Sequence, residues 1–236
     1  MTTNSPIRTI FFDLDGTLVF HEPDSYEVIV AFCAEIGQPL SREAWRRGRR
    51  ARHEYFIDPV IRKQLSAVSQ DEFWRQYNRH MLHAVGIQGE LDPLAEEIGR
   101  RFAGIAIVYR CPDATLRTLA ELRSKGHRLG LITNREDLDR FNAQIDEMGL
   151  RPYFDWLLAA GEAGVSKPDP AIFHLALERA GVPAEHALYV GDNYWADVVG
   201  AERVGLRAVL LDPHRLFPEA GCPVLDRIED LLAWLA

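Results

Sequence analysis

Two carboxylates two positions apart, Asp13 and Asp15, follow directly on the apolar run Ile10-Phe11-Phe12 and precede Gly16-Thr17-Leu18-Val19. Side chains alternate along an extended chain, so the two acids are expected on one side while Leu14 turns back into the core. Carboxylates held together repel unless one carries a proton or a cation lies between them, which makes the pair costly to keep without a use. An exposed acidic turn is the alternative, but a turn needs neither the buried strand before the pair nor the apolar continuation after it.

Three further stretches place polar groups where an apolar run ends. Leu129-Gly130-Leu131-Ile132 leads to Thr133-Asn134, just before a helix expected from about Glu136. Such a strand-to-helix junction offers backbone N–H groups to an anion, and Thr133 can add a hydrogen bond to a phosphate oxygen. Thr133 is equally suited to capping the helix. Phe154 to Leu158 is followed by Ser166-Lys167-Pro168-Asp169-Pro170, whose prolines restrict where the Lys167 ammonium can go. On its own, a lysine there is a surface residue. Ala187 to Val190 ends in Gly191-Asp192, with Asp197 five residues on. Hard cations take oxygen ligands, so Asp192 opposite Asp13 would complete a Mg²⁺ site. Asp197 can instead cap the helix running through Val199 and Ala201.

The elements that must position these residues are read from hydrophobic period. Short apolar runs at 10–12, 129–132, 154–158, 187–190 and 207–211 alternate with helical segments from Leu129 onward, which predicts an α/β fold with a doubly wound, largely parallel, Rossmann-like sheet. Between Asp24 and about Gly104 the pattern is helical throughout. Tyr26, Ile29, Val30, Cys33 and Ile36 form one stripe, and Ser41 with Glu43 can open the next helix. Phe73, Trp74, Tyr77, Met81, Leu82 and Val85 form another stripe, expected in the interior of a helical bundle. The expected division is residues 1–20 with 105–236 as the α/β domain and 21–104 as the helical insertion. A basic cluster, Arg46, Arg47, Arg49, Arg50, Arg52, Arg62 and Lys63, lies in the insertion. It reads either as a solvated helix face paired with Glu43 and Glu54, or as a source of one or two arginines for an acidic part of a substrate. His53, His80 and His83 lack metal-ligand spacing.

Asp-x-Asp-Gly-Thr-Leu after a hydrophobic strand, Thr133-Asn134, Lys167-Pro168 and Gly191-Asp192 with Asp197 stand in the order of the four motifs of the haloacid dehalogenase-like hydrolases. The chain resembles the phosphatase-type members of that superfamily that carry a helical cap, of the phosphoglycolate phosphatase kind. The resemblance implies an enzyme, a Mg²⁺-dependent phosphoric monoester hydrolase. Asp13 would be the nucleophile forming an aspartyl-phosphate, and Asp15 the acid and then the base. Asp13, Asp192 and the backbone carbonyl of Asp15 would hold Mg²⁺. Gly16, Thr133, Asn134 and Lys167 would bind the substrate phosphate, with Asp197 supporting from behind. The namesake dehalogenases lack an acid two positions after the nucleophile, so Asp15 speaks against their chemistry. A sugar-phosphate mutase, or a catalytically silent phosphate-binding protein, would use the same positions. Phe20-His21 departs from the family pattern, in which Asp often follows the Thr-Leu-hydrophobic run.

The whole composition narrows the partners. A chain of 236 residues with formal charge −8 is poorly suited to nucleic acid or an anionic membrane, whose binding relies on basic surfaces. A small phosphorylated metabolite needs only a local positive site. Cys33, Cys111 and Cys222 are odd in number and far apart, which indicates neither a disulfide framework nor a zinc site. Met1 to Arg8 lacks the apolar core of a signal peptide, and the cytoplasm is the expected compartment, for a monomer or homodimer.

Overall fold

The computed structural model describes residues 6–55, 57, 58, 61 and 68–236. Arg62 and Lys63 of the basic cluster lie outside the described residues. Strand β1 is Thr9–Phe12 and β2 Phe20–Glu22, and helices α1 (Ser25–Glu35), α2 (Arg42–Tyr55), α3 (Gln70–Val85) and α4 (Leu91–Ala103) follow. After β3 (Val108–Arg110) come α5 (Asp113–Ser124), β4 (Arg128–Thr133), α6 (Leu138–Glu147), β5 (Trp156–Ala159), α7 (Ala160–Ala163) and α8 (Pro170–Ala180). Strands β6 (Ala187–Gly191), β7 (Arg207–Leu211) and β8 (Val224–Leu225) complete the sheet.

Six strands form one parallel sheet in the order β5-β4-β1-β6-β7-β8, flanked by helices, so the expected α/β Rossmann-like fold is present. β1 is buried at every residue and pairs with β4 on one side and β6 on the other, Phe12 standing level with both Leu131 and Val190. A strand paired on both edges and covered on both faces has no use for alternation, which is why its sequence is a continuous apolar run. The chain builds outward from β1 through β4 and β5, then returns to build outward through β6 and β7. The reversal falls at β1, and open α/β sheets bind their ligands beyond the carboxyl ends of strands at such a point.

The chain divides into two compact units, Met1–Phe20 with Arg110–Ala236, and His21–Tyr109. Ile105 to Tyr109, expected with the sheet, group with the helices. The helical unit has its own core, in which Tyr26, Ile29, Phe32 and Cys33 of α1 pack with Tyr77, Met81, Leu82 and Val85 of α3 and Ala95 and Ile98 of α4. Trp74, expected inside with them, is 45% exposed and rests edge-on against Phe73 and Tyr77. β2 and β3 pair as a two-stranded ribbon that the helical period does not reveal, because each strand has only three residues, none of them buried.

The described part of the basic cluster is largely paired within its own unit. Arg47 meets Glu43, Arg50 meets Glu54, and Arg49 and Arg52 both meet Asp24. Arg49 also lies over the rings of Tyr26 and Trp45, 5.1 Å from each centroid. These pairings favour the structural reading of the cluster. Burial alone would raise the Asp24 carboxyl, but Arg52 and Arg49 hold it below its ordinary 3.8. The stability this contributes is present above the ordinary value and is lost as pH falls through the lowered folded value. Arg49→Met is therefore expected to cost about 1 kcal/mol near neutral pH after solvent screening, with a smaller loss in acid as Asp24 protonates below its ordinary range. Thermal unfolding of both proteins across that pH range checks it, and a loss that does not shrink in acid would count against the Asp24 pairing.

Candidate active site

Asp13 is the first residue beyond β1, and its backbone N–H donates to the Val190 carbonyl at 2.9 Å, keeping it in step with β6. Its side chain is buried. The chain then leaves the strand: Gly16 has φ +87°, and its N–H donates to the Val19 carbonyl at 2.8 Å. A Cβ on Gly16 would come within 2.4 Å of Asp192 Oδ2, so the turn brings bare backbone against the second acid. Thr17 Oγ1 lies 3.4 Å from Asp13 Oδ2 and 3.4 Å from Asp192 Oδ1, placing those two oxygens on either side of one hydroxyl. Carboxylate oxygens of Asp13, Asp192 and Asp197 all lie within 4.8 Å of one another.

Lys167 reaches this cluster from the loop before α8 and is 2% exposed. Its ammonium donates to Asp13 Oδ1 at 2.6 Å, Asp197 Oδ1 at 2.7 Å and Tyr189 Oη at 2.8 Å. An ammonium has three N–H bonds, and here all three have acceptors. Burial alone would lower the Lys167 ammonium, but Asp13, Asp197 and Tyr189 raise it well above 10.5, so it stays charged. Burial pushes the Asp13 carboxyl up to about 7; Lys167 opposes this, while Asp197 and Asp15 add to it.

Asp197 is fully committed: Oδ1 accepts from Lys167, and Oδ2 accepts from the Asn193 N–H at 3.0 Å. It lies on the π-helical turn Tyr194–Val199, which Asn193 caps with its own side chain. Asp197 therefore braces Lys167, and the alternative of a helix cap falls to Asn193. Asn134 is likewise occupied. Its amide donates to the Lys167 carbonyl at 3.0 Å, and its side-chain oxygen accepts from the Lys167 N–H at 2.8 Å. One amide hydrogen remains beyond this pairing, so Asn134 serves first to fix the Lys167 backbone. Thr133 is buried at the end of β4.

Asp15 stands at the edge of this arrangement. It lies outside the cluster of Asp13, Asp192 and Asp197, its side chain is 43% exposed, and Arg135 grips both its oxygens at 2.7 and 2.6 Å. The alternation rule does not reach it because β1 ends at Phe12. Tyr189 and Arg135 are the site residues that sequence reasoning missed. A phenol in the otherwise apolar run of β6 was the available signal for Tyr189. Arg135 follows Thr133-Asn134 directly, but nothing local marks a partner so far away in the chain.

Residues 7–205 match a family model described as haloacid dehalogenase-like hydrolase. A phosphoglycolate phosphatase of Pseudomonas savastanoi pv. phaseolicola is 33% identical over 213 residues, covering 86% of this chain and 69% of the relative. A glyceraldehyde 3-phosphate phosphatase of Methanothermobacter thermautotrophicus is 27% identical over 215 residues, covering 87% and 86%. The crystal structure of a 2-haloacid dehalogenase from Pseudomonas syringae pv. tomato superposes with a TM-score of 0.55 at 29% identity, covering 98% of this chain and 100% of that one. Among the described residues no helix is long and apolar enough to cross a membrane.

Proposed function

Since the chain belongs to the haloacid dehalogenase-like hydrolases and is an enzyme of that family, we propose that it hydrolyses a small organic phosphate monoester through an aspartyl-phosphate formed on Asp13. The observation that carries this reading is the buried Asp13 at the sheet's reversal point, gripped by Lys167 on one oxygen and facing Asp192 on the other. A buried carboxylate fixed by an ammonium is oriented for attack, and the ion pair favours its charged form.

The donor set fits a Mg²⁺ ion. Asp13 and Asp192 offer hard oxygens to one space, and among the described residues no sulfur or imidazole belongs to the cluster. Asp13, Asp192 and the backbone carbonyl of Asp15 would hold the ion, while Asp197 is spent on Lys167. Bound there, Mg²⁺ would offset the repulsion between the anionic nucleophile and the anionic phosphate.

Asp13 attacks phosphorus, the bond to the ester oxygen breaks, and that oxygen takes a proton from Asp15. Asp15 then removes a proton from the water that attacks the phosphoryl group on Asp13, releasing inorganic phosphate and restoring both residues. Thr133, the remaining amide hydrogen of Asn134 and the Lys167 ammonium stabilise the phosphoryl oxygens, Lys167 by exchanging one present acceptor. Gly16 contributes by leaving room beside Asp192. The helical unit His21–Tyr109 acts as a cap that selects a small alcohol leaving group.

With Mg²⁺, 4-nitrophenyl phosphate is expected to be hydrolysed, activity to fall at least ~100-fold in excess chelator, and added Mg²⁺ to restore it. Failure to turn over any ester in a broad panel, with metal present and the protein folded, would overturn the phosphatase reading. Likeness to a dehalogenase structure motivates one further assay, halide release from 2-haloacids; Asp15 and the acidic cluster predict none. Isomerised sugar phosphate in place of inorganic phosphate would identify a mutase.

A further inference from the structure

Arg135 holds Asp15 in a two-point fork, Nε to Oδ2 at 2.7 Å and Nη2 to Oδ1 at 2.6 Å, across 120 residues of sequence. The fork is itself fixed. Its remaining arm, Nη1, donates to Gln144 Oε1 on α6 at 2.9 Å, and the Arg135 carbonyl accepts from the Gly161 N–H at 3.0 Å. Arg135 is thus anchored at its guanidinium by α6 and at its backbone by α7, and the half-exposed Asp15 side chain is the freer partner. Planar two-point pairing of this kind fixes direction as well as distance. A carboxyl whose two oxygens both accept from N–H groups has no O–H aimed at anything else. To present a proton to a leaving oxygen, Asp15 must give up at least one of these bonds and turn.

We infer that Arg135 is a positioning residue that holds Asp15 clear of the Asp13, Asp192 and Asp197 cluster in the resting enzyme, so that Asp15 leaves the fork before it protonates a leaving group. This rests on the acid and base role given to Asp15 above. Releasing Asp15 is then part of the barrier to ester cleavage whenever the departing alcohol needs a proton, and is irrelevant when it does not.

Two esters of similar size separate the cases. Nitrophenolate leaves without a proton, whereas the alkoxide of benzyl phosphate requires one. The ratio of kcat/KM for benzyl phosphate to that for 4-nitrophenyl phosphate, measured in Mg²⁺, reports proton donation and cancels general damage to the protein. Arg135→Gln is expected to raise this ratio about three- to tenfold, the range set by losing a partly exposed bidentate pair. Arg135→Lys keeps the charge without the fork and should raise it less, as should Gln144→Ala, which loosens the anchor only; these two carry the test if Arg135→Gln does not fold. An unchanged ratio in the folded variants, or a fall, overturns the inference while leaving the phosphatase reading intact. A wild-type protein inert toward both esters overturns that reading, and this inference with it.

Discussion

Asp13→Asn is expected to lower turnover of an aryl phosphate by roughly 10³-fold or more while the protein stays folded. The amide has the size of the carboxylate and can still accept one hydrogen bond from Lys167, so the geometry around Lys167 survives. Lys167 also keeps the charged partner Asp197, which remains 2.7 Å away. What is lost is the nucleophile. An amide oxygen is a poor attacking group at phosphorus, and no side chain within the cluster can replace Asp13: Asp197 is committed on both oxygens, and Asp192 is the acid proposed above to hold the metal. Burial and the neighbouring acids push the Asp13 carboxyl up to about 7, so its charge is a local cost that the amide removes. The melting temperature of Asp13→Asn should therefore match or exceed that of the wild type. The direct check is acid quenching during turnover followed by mass measurement. The wild type should carry a phosphoryl group and Asp13→Asn none. Near-normal activity in Asp13→Asn would remove Asp13 from the role of nucleophile.

The parts of this site that the sequence makes legible are those set by one strand and the residue after it. β1, β4 and β6 are buried on both faces, so each is a plain apolar run, and the polar residue that ends each run lies by construction at the same edge of a parallel sheet. Asp13, Thr133 and Asp192 are found this way. What local pattern does not contain is how loops fold back. Asp13 and Asp15 were expected on one side of an extended chain, yet β1 ends at Phe12, the chain bends at Leu14, and a left-handed Gly16 redirects it. Asn134 looks like a phosphate-binding group in sequence because nothing local says that it braces Lys167, and Asp197, expected as a supporting acid or a helix cap, has no local mark naming Lys167 as its partner. Trp74 fits the helical stripe of α3 yet is exposed, since period alone does not say where a stripe ends.

Lys167→Met is the substitution expected to damage stability most. The methionine fills nearly the same space, so packing is conserved and the loss is electrostatic. Asp13 and Asp197, both buried, are left with no cation between them. Removing one partner of a buried ion pair costs about 3–5 kcal/mol, because the surviving charge is neither solvated nor compensated. In a chain of this length that corresponds to a fall of roughly 10 °C in melting temperature. Tyr189 loses its donor as well, although its hydroxyl still reaches the Ile132 carbonyl at 3.2 Å. Asp13, whose carboxyl burial already pushes up to about 7, can escape the cost by binding a proton, so the gap between variant and wild type should narrow as pH falls from 8 towards 5. The ordinary titration of Lys167 does not enter this window, since its folded value is raised above 10.5 and its contribution is lost only as pH rises through that value. The second substitution Asp197→Asn, made on top of Lys167→Met, removes one of the two stranded charges and should restore several degrees. It should restore no turnover, because Asp13 would still lack the ammonium that orients it. Melting curves of wild type, both single variants and the double variant form a cycle in which the coupling of Lys167 to Asp197 is read directly. Additive losses in that cycle, or a Lys167→Met melting point within about 2 °C of the wild type, would mean that the buried charges are not held as a unit.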